Sequence, residues 1–217
     1  MVRGGGDEDT VGPARPVDGG RRWRPDRSHG RGDRGQRRHR AGDCQGAGRH
    51  GALVVLACRD VGKAERAAGQ IRAGNPAARL EVVGLDLARQ ASVRAAAAEI
   101  SARYPRLDLL INNAGVMEPP YERTEDGFEL TLATNHLGHF ALTGLVLDRL
   151  LAAPGSRVVA TSSQGHWEGV MNFGDLQSEH GYRPDTAYFQ SKLANLLFTY
   201  ELDRRLRAAG APVSALG

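Results

Sequence analysis

From Gly51 to the last residue, short apolar runs alternate with longer stretches of helical character, and this alternation most restricts the fold. LVVLAC (53–58) has the length and content of a buried strand, and VGKAERAAGQIRAG behind it carries one polar face. RLEVVGLDL (79–87), an Ala-rich helix from Ser92 to Tyr104 and LDLLINNAG (107–115) repeat the pattern. A helical tract is predicted from about Thr124 to Ala152, then the strand RVVATSS (157–163) and a loop of some twenty residues. A helix from about Asp185 to Ala209 and the apolar start PVSAL complete the order. Strands separated by helices need crossover connections, so they run parallel in a sheet covered on both faces. The predicted class is α/β, a doubly wound parallel sheet.

Residues 1–50 do not share this pattern. They hold Gly, Arg, Pro and Asp without apolar periodicity, and such a composition buries too little surface to order itself. This segment carries 12 Arg against 7 acidic residues, so it accounts for the net charge of +4. A basic arm for nucleic acid is one reading. A disordered tail fits the composition better, so nucleic acid is the disfavoured partner. The chain divides into an irregular segment, 1–50, and an α/β domain, 51–217. Cys44 and Cys58 have no metal-binding spacing, and the N-terminus lacks the apolar core of a secretory signal. The most apolar helix, around Ala141 to Ala153, is interrupted by Asp148 and Arg149 and is too short to span a bilayer. A cytoplasmic protein is expected.

Tyr188 and Lys192, in YFQSK, lie four apart on a predicted helix and share one face. A neighbouring ammonium favours a phenolate over a phenol, which suits Tyr to proton exchange with a carbonyl oxygen. Ser163, after Ser162, ends the strand RVVATSS, and ligands of open parallel sheets bind at carboxyl ends of strands. NNAG (112–115) ends another strand, where small residues let a flat ligand approach the backbone. His136 and His139 lie three apart on a helix but have no further metal ligands nearby, so a structural role is expected of them.

In order along residues 51–217, the fragments DL (86–87), NNAG (112–115), the Asn of TNHLGHF (134–140), SS (162–163) and YxxxK (188–192) resemble the short-chain dehydrogenase/reductase family. The step from Ser163 to Tyr188, with FGDLQSE between, resembles its retinol-dehydrogenase-like branch. The resemblance implies a Rossmann-like fold and hydride transfer between an alcohol and a carbonyl, with a small-molecule substrate. It implies that Tyr188 exchanges the proton, Lys192 stabilises its phenolate and binds the nicotinamide ribose, and Ser163 orients the carbonyl. Asn135 positions a water that links Lys192 to solvent. Asp86 and Leu87 flank the adenine, and the backbone of Asn112, Asn113, Ala114 and Gly115 supports its ribose. Arg59 stands where this branch meets the 2′-phosphate, which favours NADP over NAD, because a guanidinium can fork onto a phosphate. The two long helices are where members of the family pair, so a homo-oligomer is a further expectation.

One element the resemblance requires is out of place. A first strand and a T-G-x-x-x-G-x-G loop belong about twenty residues before LVVLAC. The two glycine patterns present, Gly30–Gly35 and Gly46–Gly51, have no strand before them. Shifting the reading frame one base forward fixes the first and third bases of each new codon. RGDRGQRRHR (31–40) can then spell V-V-T-G-A-S-G-G-I-G, and GDCQGA (42–47) can spell E-T-A-R-A-L. A frame disruption upstream of about residue 51 is therefore expected. In the strand order 3-2-1-4-5-6 the first strand is central, so the sheet of this chain is expected to be incomplete. PVSALG is expected to stop inside the sixth strand, short of the segment that closes over nicotinamide and substrate. Poor cofactor binding and little activity would result. The alternative is a non-catalytic remnant, or an interaction protein with a basic N-terminal arm.

Overall fold

The computed structural model describes residues 52–217; the expectations for residues 1–50, including both glycine patterns and the shifted frame, lie outside them. Five strands alternate with helices as predicted. β1 is Leu53–Cys58, α1 Val61–Gly74, β2 Arg79–Gly84, α2 Gln90–Arg103 and β3 Leu109–Asn112. After β3 come α3 (Leu130–Leu132), a π-helical turn (Ala133–Leu137), α4 (Gly138–Leu145) and α5 (Leu147–Leu151). β4 (Ser156–Ala160), a 3-10 turn (Gln164–Glu168), α6 (Pro184–Ala208) and β5 (Val213–Leu216) complete the order. Local chemistry sets several boundaries. The Asp60 carboxylate accepts the Lys63 N–H at the start of α1, and Pro184 opens α6 with its preset φ. At α2 the cap comes from far away: the Asp126 carboxylate accepts the Gln90 N–H at 2.7 Å.

All pairings between the described strands are parallel. β1 pairs with β2, Leu53 opposite Arg79, and β4 lies between β3 and β5, with Leu109 opposite Arg157 and Ser156 opposite Val213. Among the described residues these form two sheets, of two and three strands, with no hydrogen-bonded pairing between them. The strand order is that of a partial doubly wound parallel sheet among the described residues. Of two core clusters, one lies between β1, β2 and α1 and the larger joins the halves. Val83, Leu85 and Leu87 from the β2 side pack with Val93, Leu142, Val146, Leu150 and Val158.

The predicted helical tract from Thr124 to Ala152 is not one helix. Residues Arg123 and Glu129 form an isolated antiparallel bridge around a turn with Gly127 at φ 81°. Helical structure begins only after Glu129, whose carboxylate accepts the N–H groups of Thr131 and Leu132, both at 2.7 Å. The π-turn and a break at Val146 then divide the rest of the tract. A helical periodicity survives such interruptions, because the apolar face keeps pointing at the same sheet. The predicted strands 79–87, 107–115 and 157–163 are each shorter in the structure, because pairing stops where their loops turn along the carboxyl edge.

Candidate active site

The carboxyl ends of the strands carry most of the residues singled out from the sequence. Arg59 follows β1, Asp86 and Leu87 follow β2, Asn112 to Gly115 end β3, and Ser162 and Ser163 follow β4. The π-turn and α4 tie the two half-sheets together at this edge. Gly138 lies so close to the β2 exit that an added Cβ would sit 2.4 Å from the Leu87 carbonyl oxygen. Only glycine permits that approach. Asn135, fully buried in the π-turn, clamps the β3 exit: its Oδ1 accepts the Val116 N–H at 2.8 Å, and its Nδ2 donates to the Val116 carbonyl at 2.9 Å. π-turns inside α-helices recur at functional sites, and this one aims an amide at a loop.

Behind this edge runs α6. Tyr188, Lys192, Asn195 and Thr199 follow one another at helical spacing, and the last three are buried against the sheet. Lys192 Nζ donates to the Thr161 carbonyl at 3.1 Å and lies 5.7 Å from the centroid of the Tyr188 ring. Asn135 Nδ2 also donates to Ser191 Oγ at 3.0 Å, and Ser191 Oγ donates to the Tyr188 carbonyl at 2.7 Å. An added Cβ on Gly115 would come within 3.0 Å of Asn135 Oδ1 and 3.8 Å of Lys192 Nζ. Asn135, Gly115, Lys192 and Tyr188 are thus brought together.

Ser163 joins them through the backbone. Ser162 Oγ donates to the Lys192 carbonyl at 3.0 Å, and Ser163 Oγ caps the 3-10 turn by accepting the Gly165 N–H at 3.2 Å. Gly165 lies on the ring of Phe189, the neighbour of Tyr188, where a Cβ would come within 2.5 Å of it, and Gly169 lies on the Phe189 carbonyl, where a Cβ would come within 2.7 Å. Gln190, also buried, pins the rest of the loop: its Oε1 accepts the Asn172 N–H at 2.9 Å and its Nε2 donates to the Leu176 carbonyl at 3.3 Å. Trp167, Val170 and Phe173 on this loop are 69% exposed or more, an unusual concentration of apolar surface beside the polar groups.

The dinucleotide-side residues fall into two groups. Arg59 is exposed, and Asp86 is half-buried with its Oδ1 accepting the Ala88 N–H at 3.0 Å. Leu87 is buried under α4, and Asn113 Oδ1 accepts from Thr161 Oγ1 at 3.0 Å. Asn112 turns inward instead: its Nδ2 donates to Thr143 Oγ1 on α4 at 3.0 Å, so its side chain fastens β3 while its backbone carbonyl takes the Thr161 N–H. Ala114 packs on the core. An edge with an exposed guanidinium at one end, small residues in the middle and Lys192 at the other fits a nucleotide's phosphate, flat base and ribose. The diphosphate would need backbone donors from before β1, outside the described residues.

Sequence reasoning missed Thr161, Asn195 and the contact made by His136. His136 Nδ1 meets Asn195 Oδ1 at 3.1 Å, and Asn195 Nδ2 donates to the Thr161 carbonyl at 3.4 Å. Burial holds the His136 pKa below its ordinary value, against the opposing pull of the Asn195 bond. His139 Nδ1 meets the Asn135 carbonyl at 2.9 Å. The signal available was the polar stripe at 188, 192, 195 and 199 on a helix face that should otherwise be apolar.

Residues 43–216 match the family described as short chain dehydrogenase. The chain is 48% identical over 178 residues to mouse "Retinol dehydrogenase 14", covering 77% of this chain and 53% of that protein. To mouse "Retinol dehydrogenase 11" it is 51% identical over 160 residues, covering 74% and 51%. It spans about half the length of these curated relatives. Among solved structures, an uncharacterized protein from Mycobacterium paratuberculosis is 48% identical with a TM-score of 0.72, covering 81% of this chain and 61% of that one. A metagenomic short-chain oxidoreductase crystallised with NADP shares the fold at a TM-score of 0.63 and 24% identity, over 81% and 74% of the two chains.

Proposed function

The chain belongs to the short-chain dehydrogenase/reductase family, in its retinol-dehydrogenase-like branch, and from this premise we propose that it descends from an NADP-preferring oxidoreductase interconverting an alcohol and a carbonyl. The observation that carries the reading is that Tyr188 and Lys192 share one face of α6, which Asn135 reaches through Ser191 and which Ser162, the neighbour of Ser163, reaches through the Lys192 carbonyl. When bound, the dinucleotide supplies the hydride to the carbonyl carbon, or accepts it in the reverse direction. In reduction the Tyr188 hydroxyl gives its proton to the carbonyl oxygen as the C–H bond forms, leaving a phenolate that the Lys192 ammonium stabilises. Ser163 Oγ orients that oxygen. Asn135 holds the loop behind Lys192 and positions the water through which the proton is replaced. Arg59 takes the 2′-phosphate; Asp86, Leu87 and the 112–115 backbone seat the adenosine. The substrate is an apolar alcohol or aldehyde of the retinoid kind, a reading supported by the names of the relatives and the apolar surface of Trp167, Val170 and Phe173. The protein works in the cytoplasm, and it self-associates through the exposed Phe140, Leu145, Leu197 and Tyr200.

A second reading is favoured by a specific observation, the absence of pairing between the two half-sheets among the described residues. On that reading this polypeptide is a dehydrogenase remnant with little cofactor affinity, and its coding sequence carries a frame disruption upstream of about residue 51. No helix among the described residues is long and apolar enough to cross a membrane.

One experiment separates the two. The genomic DNA across codons 20 to 55 is sequenced on both strands. Both the chain as given and the frame-restored chain are then titrated with NADPH and NADH and assayed with retinal. Tight NADPH binding and turnover by the restored chain alone is the expected result. Tight NADPH binding by the chain as given would overturn the remnant reading. An uninterrupted frame, with no binding by either chain, would overturn the enzyme reading for this polypeptide.

A further inference from the structure

The Thr161 carbonyl, one residue beyond β4, is the acceptor on which Lys192 rests, and it has a second suitor. A carbonyl oxygen has two lone pairs; one receives Lys192 Nζ at 3.1 Å, and the other faces Asn195 Nδ2 at 3.4 Å. Thr161 is otherwise held by its N–H to the Asn112 carbonyl at 2.9 Å and by its hydroxyl to Asn113 Oδ1 at 3.0 Å. The peptide that receives the ammonium is therefore fixed on its β3 side by the Thr161 N–H and hydroxyl; on its α6 side Ser162 Oγ ties the next residue to the Lys192 carbonyl, and Asn195 holds the accepting oxygen itself.

Asn195 is itself steered. Its Nδ2 is committed to Thr161, so its Oδ1, which has only lone pairs, must accept from His136 Nδ1. That assigns the His136 proton to Nδ1. The His136 ring is in turn held between Phe140 and Phe198, with both centroids at 6.2 Å. The chain of contacts runs from the aromatic cluster on α4 and α6 through His136, Asn195 and Thr161 to Lys192. Asn195 is 3% exposed, so water does not substitute for either of its bonds.

We propose that Asn195, oriented by His136, is a positioning residue for Lys192: it fixes the Thr161 carbonyl and thereby the place of the ammonium beside Tyr188. The proposal rests on the reading of Tyr188 and Lys192 as the proton-handling pair, but its test does not use turnover.

The chain contains two lysines, Lys63 and Lys192, which makes the test direct. Lys63 has a side chain 71% exposed and serves as the internal reference. The full chain is labelled with 13Cε-lysine, and both resonances are followed as a function of pH. In the parent chain the Lys192 signal is expected away from that of Lys63. Asn195→Leu, which removes both bonds, is expected to move it toward the Lys63 position. His136→Leu is expected to move it in the same direction, and His136→Asn, which keeps an N–H donor near the Nδ1 site, is expected to leave it in place. Arg207→Ala, on the exposed side of the same helix with a side chain 78% exposed, is the control and should have no effect. An unchanged Lys192 shift and titration midpoint in Asn195→Leu would overturn the proposal. Where leucine at 195 unfolds the chain, the His136 pair decides: equal signals in His136→Leu and His136→Asn would overturn it. A responsive Lys192 signal in a frame-restored but inactive enzyme would overturn the dehydrogenase reading instead and leave the positioning intact.

Discussion

At the scale of single residues, Tyr188 and Lys192 were the most legible part of the site. Their spacing is a property of one helix and needs no partner from elsewhere in the chain. Tyr188→Phe removes the one proton the proposed chemistry moves, so turnover by the frame-restored chain should fall by about 10²-fold or more, with NADPH affinity little changed. A kinetic assay beside a fluorescence titration checks this, and an equal loss of binding and turnover would speak against the role. Asn195 was not legible in the same way. Its partner is a backbone carbonyl thirty-four residues earlier, and sequence carries no mark of which carbonyl a buried amide will find. Gly138 is a similar case: nothing in TNHLGHF announces that an added methyl would meet the Leu87 backbone at 2.4 Å. Gly138→Ala should therefore cost about 1–3 kcal/mol, as overpacked sites do, despite the helix preference for alanine. A urea denaturation midpoint at or above that of the parent would show that α4 moves aside without penalty.

Elements show which forces a periodic pattern cannot report. The strands and α1 fall close to their predicted places because apolar content and short turns decide them. The tract after β3 does not, because its start and its π-turn are set by tertiary partners: Glu129 caps two N–H groups from a fully buried position, and Asn135 is committed to Val116 and Ser191. Glu129→Ala should cost about 0.5–2 kcal/mol for the lost cap, read as a drop in unfolding midpoint. Glu129→Gln, which keeps one acceptor, should recover part of it. His136 adds a pH dependence to the same segment. Burial holds the folded imidazole neutral below its ordinary titration range, while in the unfolded chain it titrates near 6.5. The unfolded state therefore binds the proton first as the pH falls, so the stabilisation is complete above about 6.5 and is lost below it. Urea midpoints at about pH 7.5 and about pH 5.5 should differ less in His136→Asn than in the parent chain. An equal difference in both would assign the pH response to other groups.

For the whole molecule, the decisive fact is that two parallel half-sheets are bridged by one core cluster without a strand pairing between them among the described residues. A doubly wound sheet is stabilised by strands buried on both faces and paired on both edges, and β3 departs from this: Leu109 and Ile111 are 48% and 45% exposed. Both belong to the strand that neighbours the central one in the order 3-2-1-4-5-6, and that central strand is not among the described residues. The order of the described strands was legible in the sequence, since each apolar run and the helix after it is a local signal. What it could not say is that Leu87, Gly138 and Asn135 hold the halves in place from one side, which depends on distances between segments rather than on their order. On the proposed frame disruption, restoring the frame would supply a strand of V-V-T-G character for the facing edges of β1 and β3. Amides of Leu53–Cys58 and Leu109–Asn112 should then exchange with solvent more slowly in the restored chain than in the chain as given. Amides of β4, already paired on both sides, should change little. NADPH should slow exchange further at 112–116 in the restored chain only. Equal protection of β1 and β3 in the two chains would mean that the half-sheets are already joined without the restored segment, and the case for a disrupted frame would then rest on the DNA alone.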